Sequence, residues 1–271
     1  SSDVCSSDLA GGLLVSNLAV SAGGAVTLTD SETSIGILAV TTPGSVTVTQ
    51  AKDLDLATVR DLSNINNSSG SGDVTITSTG GSVTIEDAGL NSAGNVSVTS
   101  QGTLAVQDGA LSNTAGSGTV TLTSKGAGIT ITSTGLHSDG AITLNAAGDV
   151  LINQAGVTNS KGSGNLSITT TEGTITITNG GISSAGNIVI SASSDVSINQ
   201  GGVTATAGTG TVSMSSSGTL TTEDNGIQAA GNVSLTADSI NIASGTINAG
   251  KATVTILPAT LGYAIDLGTD S

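Results

Sequence analysis

Residues 72–94 read GDVTITSTGGSVTIEDAGLNSAG. Val74 and Ile76 face one way and Thr75 and Thr77 the other, the period of two expected of a strand with one buried side. After T-G-G a second strand places Val83 and Ile85 inward, and after E-D-A-G a short third strand is led by Leu90. Three strands and three turns within one short unit describe a single coil of a solenoid. The same signal then restarts at Gly94, Gly118, Gly140, Gly164, Gly186 and Gly210, so the spacing from Gly72 onward alternates between 22 and 24 residues. Self-similarity at this period fixes the architecture before any motif is weighed.

Alignment of the units gives three apolar columns. The first strand contributes Val74/Ile76, Val96/Val98, Val120/Leu122, Ile142/Leu144, Leu166/Ile168, Ile188/Ile190, Val212/Met214 and Val233/Leu235. The second gives Val83/Ile85, Leu104/Val106, Ile129/Ile131, Val150/Ile152, Ile175/Ile177, Val196/Ile198, Leu220/Thr222 and Ile240/Ile242. The third is a single file of Leu90, Leu111, Leu136, Val157, Ile182, Val203, Ile227 and Ile247. Like sits over like, as strands stacked about 4.8 Å apart require. No coil buries its inner face alone, so stability comes from neighbours. With Gly24, Gly44 and Gly250 also opening units, the chain holds about eleven coils, a rod about 50 Å long.

Composition agrees. There are 39 glycines, no Phe or Trp, one Tyr and 9% charged residues, yet 36% of the chain is hydrophobic, nearly all small aliphatic side chains. Five cations (Lys52, Arg60, Lys125, Lys161 and Lys251) against 20 carboxylates leave a net charge of −15, which argues against nucleic acid as a partner because phosphate neutralisation has no supply of cations. The longest apolar runs resemble Ile37–Val40, far short of the ~18 residues of a membrane span.

Residues 1–9, SSDVCSSDL, share nothing with the repeat and match a sequencing adapter translated in frame, AGT TCA GAC GTG TGC TCT TCC GAT CT. They are set aside from fold reasoning as non-native, leaving residues 10–271 as one solenoid. Cys5, the single cysteine, lies among them, so the expected native chain has neither a disulfide nor a thiol nucleophile. The pattern starts and stops in mid-repeat, which suggests a piece of something longer.

Several local expectations follow. The glycines serve the corners by adopting positive φ. A turn column of Asp87, Asp108, Ser133, Gln154, Asn179, Gln200, Asp224 and Ser244 offers side chains for hydrogen bonding along the rod. The 22/24 alternation is assigned to the third turn, short in NSAG before the strand after Gly94 and long in NTAGSG before that after Gly118. VxINQxGVT runs at Val150 and Val196 lie 46 residues apart, consistent with duplication of a two-coil module. Residues 44–71 form an irregular coil with a larger loop. The terminal coil, residues 251–271, is atypical because Pro258 cannot donate to a central ladder.

The repeated G-x-V-x-[IVL]-x-[ST] coils, the near absence of Cys and aromatics, and the closing VTILPATLGYAIDLG resemble the filamentous haemagglutinin-type large exoproteins of Gram-negative bacteria, over about residues 11–271. Such proteins are similar to autotransporter passenger domains. The resemblance implies a right-handed parallel β-helix, secreted or displayed on the cell surface as an adhesin. It also implies an outer-membrane secretion channel as a partner and host or environmental surface ligands, glycan or protein, as targets. A chain without cysteines fits passage through a pore that a disulfide-locked fold would obstruct.

No enzyme is expected. Polysaccharide-cleaving chemistry wants clustered carboxylates with a cation or a His, and aromatic platforms for sugar rings. His137 is the one histidine, and it shares an outward column with Asn91, Ser112, Thr158 and Ser183; Tyr263 stands alone in the atypical coil. Glu86, Asp87 and Asp108 share a corner on adjacent coils, and Glu223 with Asp224 repeats it far away. Such carboxylates either hold Ca²⁺ through oxygen ligands or form a solvated acidic turn. The tandem GGxGxDxUx signature of calcium β-rolls is absent, and GSGD at Gly70 lacks the Lys and helix of a phosphate loop. No cofactor site is expected. A further reading comes from Thr27/Thr29, Thr47/Thr49, Thr75/Thr77, Ser97/Thr99, Thr121/Thr123 and Ser167/Thr169, two hydroxyl files of the kind that bind ice, interrupted at Asn145 and Val189. Thr is also the polar residue best suited to an exposed strand face.

Overall fold

The computed structural model describes residues 12–87, 89–132, 134–154, 156–161, 164–205 and 207–263. Residues 1–9, Cys5 included, and Ser133 of the turn column lie outside the described residues, as do residues 264–271 of the terminal coil. The chain is a parallel β-solenoid of about eleven turns, and no described helix is long and apolar enough to cross a membrane. First strands stack into one 11-stranded sheet, from Val26–Leu28 to Val254–Leu257. Second and third strands stack into a 20-stranded sheet around the rest of the tube.

Register is what makes the columns. Val74 pairs with Val96, Val96 with Val120, Val120 with Ile142 and Ile142 with Leu166. In the second strand Val83 pairs with Leu104, then Ile129, Val150 and Ile175. In the third Leu90 pairs with Leu111, Leu136, Val157 and Ile182 in turn. All of these are fully or almost fully buried in one continuous aliphatic core. A one-residue slip would turn every such side chain outward, so the pattern itself pins the pairing. The core loosens at the C-terminal end, where Ile240, Ile242 and Ile247 are only partly buried. Thr222 occupies a second-strand aliphatic position, between Ile198 and Ile242, and its buried Oγ has no partner among the described residues.

The glycines serve two purposes. Gly89 (74°), Gly135 (86°), Gly208 (62°) and Gly226 (64°) have the positive φ expected at corners. Gly72, Gly94, Gly118 and Gly140 do not have positive φ; a Cβ on any of them would collide with the backbone of the preceding coil, at Gly44, Gly72, Gly94 and Gly118 respectively. They are required because two coils touch there, backbone to backbone. Positive φ also falls on the turn column, at Asp87 (53°), Asp108 (57°), Gln154 (60°), Asn179 (57°), Gln200 (59°) and Asp224 (57°). Asn and Asp tolerate the left-handed region through local hydrogen bonding; why Gln serves at two positions is not explained by any contact seen there.

The coil-length alternation has two sources. Three residues separate Ser92 from Val96 in a short third turn, and six separate Asn113 from Val120 in a long one; four separate Ser78 from Val83 in the first turn of one coil, and three separate Ser100 from Leu104 in the next. The third turn gains three residues and the first loses one, 3 − 1 = 2. The larger loop of residues 44–71 is an antiparallel hairpin, Thr58–Val59 with Leu62–Ser63, set between the second strand Leu54–Leu56 and the third strand Ile65–Asn67. In the two coils before it, second and third strands merge into single eight-residue strands, Leu14–Ser21 and Ser34–Thr41. In the terminal coil, Val254–Leu257 still pairs in parallel with Val233–Thr236, and Pro258 comes directly after that strand.

Candidate functional site

The acidic corner lies against the hairpin. Asp87 Oδ2 accepts a hydrogen bond from the Thr58 N–H at 2.9 Å, and buried Asn64 donates through Nδ2 to the carbonyls of Leu56 and Glu86, both at 2.7 Å. The only outgrowth of the described rod is thereby fixed to the coil that follows it. Burial, and then the nearby charges of Asp55, Asp87 and Asp108, hold the Glu86 carboxyl above the usual carboxylate range. Yet among the described residues no three His, Cys, Asp or Glu side chains converge to hold a metal ion. Glu223 and Asp224 sit on a distant coil, where Asp224 is tied through its N–H to Ser244 Oγ at 2.9 Å. The sequence places Glu86, Asp87 and Asp108 together correctly; in the structure the Asp87 carboxylate and the Glu86 carbonyl anchor the hairpin.

His137 stands where the columns place it, between Ser112 and Thr158 on the outer side of the third strands, with Nε2 3.2 Å from the Thr134 carbonyl. No described carboxylate hydrogen-bonds it. Tyr263 is exposed, its N–H donating to the Thr260 carbonyl. The only ion pair among the described residues joins Lys161 Nζ to Asp139 Oδ2 at 2.8 Å across successive coils. That bond, then one from Ser160, draws the Asp139 carboxyl below its ordinary range.

The hydroxyl files are in register along the 11-stranded sheet. Thr47, Thr75, Ser97, Thr121, Thr143 and Ser167 pair in sequence, and beside them Thr49, Thr77, Thr99, Thr123, Asn145 and Thr169. Both continue through Val189/Ser191, Ser213/Ser215 and Ser234/Thr236. No ionisable side chain interrupts these two files.

The turn column bonds along the rod at Asp224 and Ser244, and further side-chain bonds between coils lie outside it. Asp73 Oδ1 accepts from Asn95 N–H at 2.7 Å, and Asn95 Oδ1 from Thr119 N–H at 3.0 Å; Asn165, Asn187 and Thr211 repeat the relay. Inside the tube, the residue two after the third-column aliphatic alternates strictly over six successive coils: Asn67, Ser92, Asn113, Ser138, Asn159 and Ser184, all buried. Ser belongs to short third turns and Asn to long ones. Ser138 Oγ accepts from Gly140 N–H at 3.1 Å and donates to Gly118 O at 3.3 Å; Ser184 does the same with Gly186 and Gly164. Asn113 Nδ2 donates to Gly94 O at 3.0 Å, Asn67 Nδ2 to Gly44 O at 2.5 Å, and Asn159 Nδ2 to Gly140 O. The Asn/Ser alternation is visible in the sequence and marks this inner corner in advance.

No protein family, curated protein or solved structure matches the chain.

Proposed function

We propose that this chain is a rigid β-helical stalk segment of a secreted or surface-displayed bacterial exoprotein, which presents an attachment surface or holds a binding domain away from the cell. One observation carries the reading: a single aliphatic core and in-register ladders run through about eleven coils, with one small hairpin as the sole described outgrowth. Length and stiffness are what such an architecture supplies. The resemblance of the coils to filamentous haemagglutinin-type exoproteins supports the extracellular setting and an unidentified glycan or protein ligand. The hairpin Thr58–Ser63 is the natural place for contact, since binding residues concentrate on loops held by rigid scaffolds. Immobilised protein should retain host cells or glycans without releasing product. Release of reducing ends from acidic polysaccharides would overturn the proposal in favour of an enzyme.

The register of the hydroxyl files favours a second reading, a flat neutral face that binds ice or another ordered hydroxylated surface. Thermal hysteresis in dilute solution is its test, and its absence removes the ice form of that reading.

A further inference from the structure

Three buried oxygens at equivalent corners share one defect. The Oδ1 atoms of Asn67, Asn113 and Asn159 are closed off from solvent and receive no hydrogen bond from any described protein group. They belong to long third turns spaced two coils apart, and the same amides are well used at their other end. Exchanging oxygen and nitrogen does not repair the defect, because Nδ2 of Asn113 faces two carbonyl oxygens, Gly94 O at 3.0 Å and Thr119 O at 3.4 Å, which an oxygen in its place would repel. A buried amide oxygen left without a donor is costly.

The short turns show what is missing. At Ser138 and Ser184 the serine hydroxyl donates to the preceding coil and accepts from the N–H of the glycine that opens the next, Gly118 O and Gly140 N in the case of Ser138. In the long turns Nδ2 takes over the donation. The three added residues separate the opening glycine from the corner, so that Gly118 follows Asn113 by five positions where Gly140 follows Ser138 by two. Neither Gly72 nor Gly118 donates its N–H to a protein acceptor among the described residues.

We propose that the Asn67 and Asn113 long turns each hold one ordered water molecule, which donates to Oδ1 and accepts from an N–H of the turn backbone. The chemistry selects water over an ion. The position calls for one donor and one acceptor in the same small molecule; a cation satisfies only the amide oxygen, and an anion only the N–H. Internal waters characteristically make two to four such bonds to groups that otherwise lack partners. The two sites lie two coils apart, about 10 Å along the rod.

The test has two arms. A high-resolution crystal structure of this chain should show a water within about 3 Å of Oδ1 of both Asn67 and Asn113. A turn N–H bonded directly to Oδ1 with no water there overturns the proposal. So does a monovalent cation, identified by anomalous signal after growth in rubidium. In solution, water relaxation dispersion should report long-lived internal waters, and their number should fall by one when Asn113→Ser is combined with removal of three of residues 114–117, which rebuilds a short turn. An unchanged number in that folded variant overturns the proposal. If the variant does not fold, the crystal structure of the unaltered chain decides alone.

Discussion

Two long turns of equal length occupy the same corner of the rod and are built differently. Six residues lie between Asn113 and Val120, and six between Ala205 and Val212. In the first, the Asn113 amide reaches through the corner to Gly94 of the preceding coil, and a Cβ on Gly116 would collide with the Ala93 carbonyl. In the second, Ala205 offers no such bond; the turn closes on itself through Gly210 N–H to Ala207 O at 3.0 Å, with Gly208 at φ 62° and open space around it. The turn with the buried polar side chain brings Gly116 against its neighbour, whereas the turn without it leaves Gly208 in open space. The same residue type disappears further along, where Ala229 and Ala249 follow Ala205, and there the core also becomes partly exposed at Ile240, Ile242 and Ile247.

The largest test of that contrast is a charge in the third column. Leu136→Asp buries a carboxylate with no partner in a fully enclosed file and should cost about 4 kcal/mol or more. Ile247→Asp, in the partly exposed last member, should cost less than half of that. Thermal melts followed by circular dichroism compare the two, and equal losses would break the distinction between the two regions. Next in size is Asn113→Ala, expected to lose about 2 kcal/mol because it removes the buried Nδ2 bond to the Gly94 carbonyl. Gly208→Ala should lose only about 1 kcal/mol, the strain of a left-handed alanine in an open turn. Thr222→Val should raise stability by about 1 kcal/mol, since it removes an unpaired buried hydroxyl at nearly constant volume; a lower melting temperature would mean that the hydroxyl has a partner.

The smallest effects are electrostatic and opposite in sign. The Glu86 carboxyl is raised by burial and by its acidic neighbours, so the folded chain holds that proton more tightly than the unfolded one. Its contribution is present in acid and lost as pH rises through the folded pKa, so Glu86→Gln should gain on the unaltered protein between acid and neutral pH. The Asp139 carboxyl is lowered by Lys161 and Ser160, so its contribution is present at neutral pH and lost as pH falls through the folded pKa. Asp139→Asn should be the less stable protein at neutral pH and match it in acid. Melting temperatures across the acid range distinguish these trends, and parallel curves for all three proteins would contradict both.

The apolar columns were legible because each inward position demands the same residue class in every coil, and stacking admits few exceptions. Val83, Leu104 and Ile129 need only be aligned to reveal a ladder. The glycines were legible in position but only partly in purpose: a spacing pattern cannot distinguish a glycine with positive φ, such as Gly89, from one that lets two backbones meet, as at Gly118. The left-handed Gln154 and Gln200 carry no strong residue signature and were hidden for that reason. Among candidate sites, the shared corner of Glu86, Asp87 and Asp108 was readable from coil spacing. Its anchor, Asn64, was not, because a hairpin inserted into one coil has no counterpart in the repeat from which to infer it.

The inter-coil ladders run along the rod axis, and this determines how the molecule bears load. Tension applied between the two ends stretches those bonds in series, one layer after another, so failure begins at the weakest layer and does not require the whole tube to give way at once. The clamps at Asn67, Asn113 and Asn159 reinforce the earlier layers, whereas the alanine-lined coils after Ala205 lack these corner bonds. Under a steady pull the later coils should peel away first, each releasing about 70 Å of extended chain, while the remainder keeps its shape and its exposed faces: a tether that lengthens in steps under force.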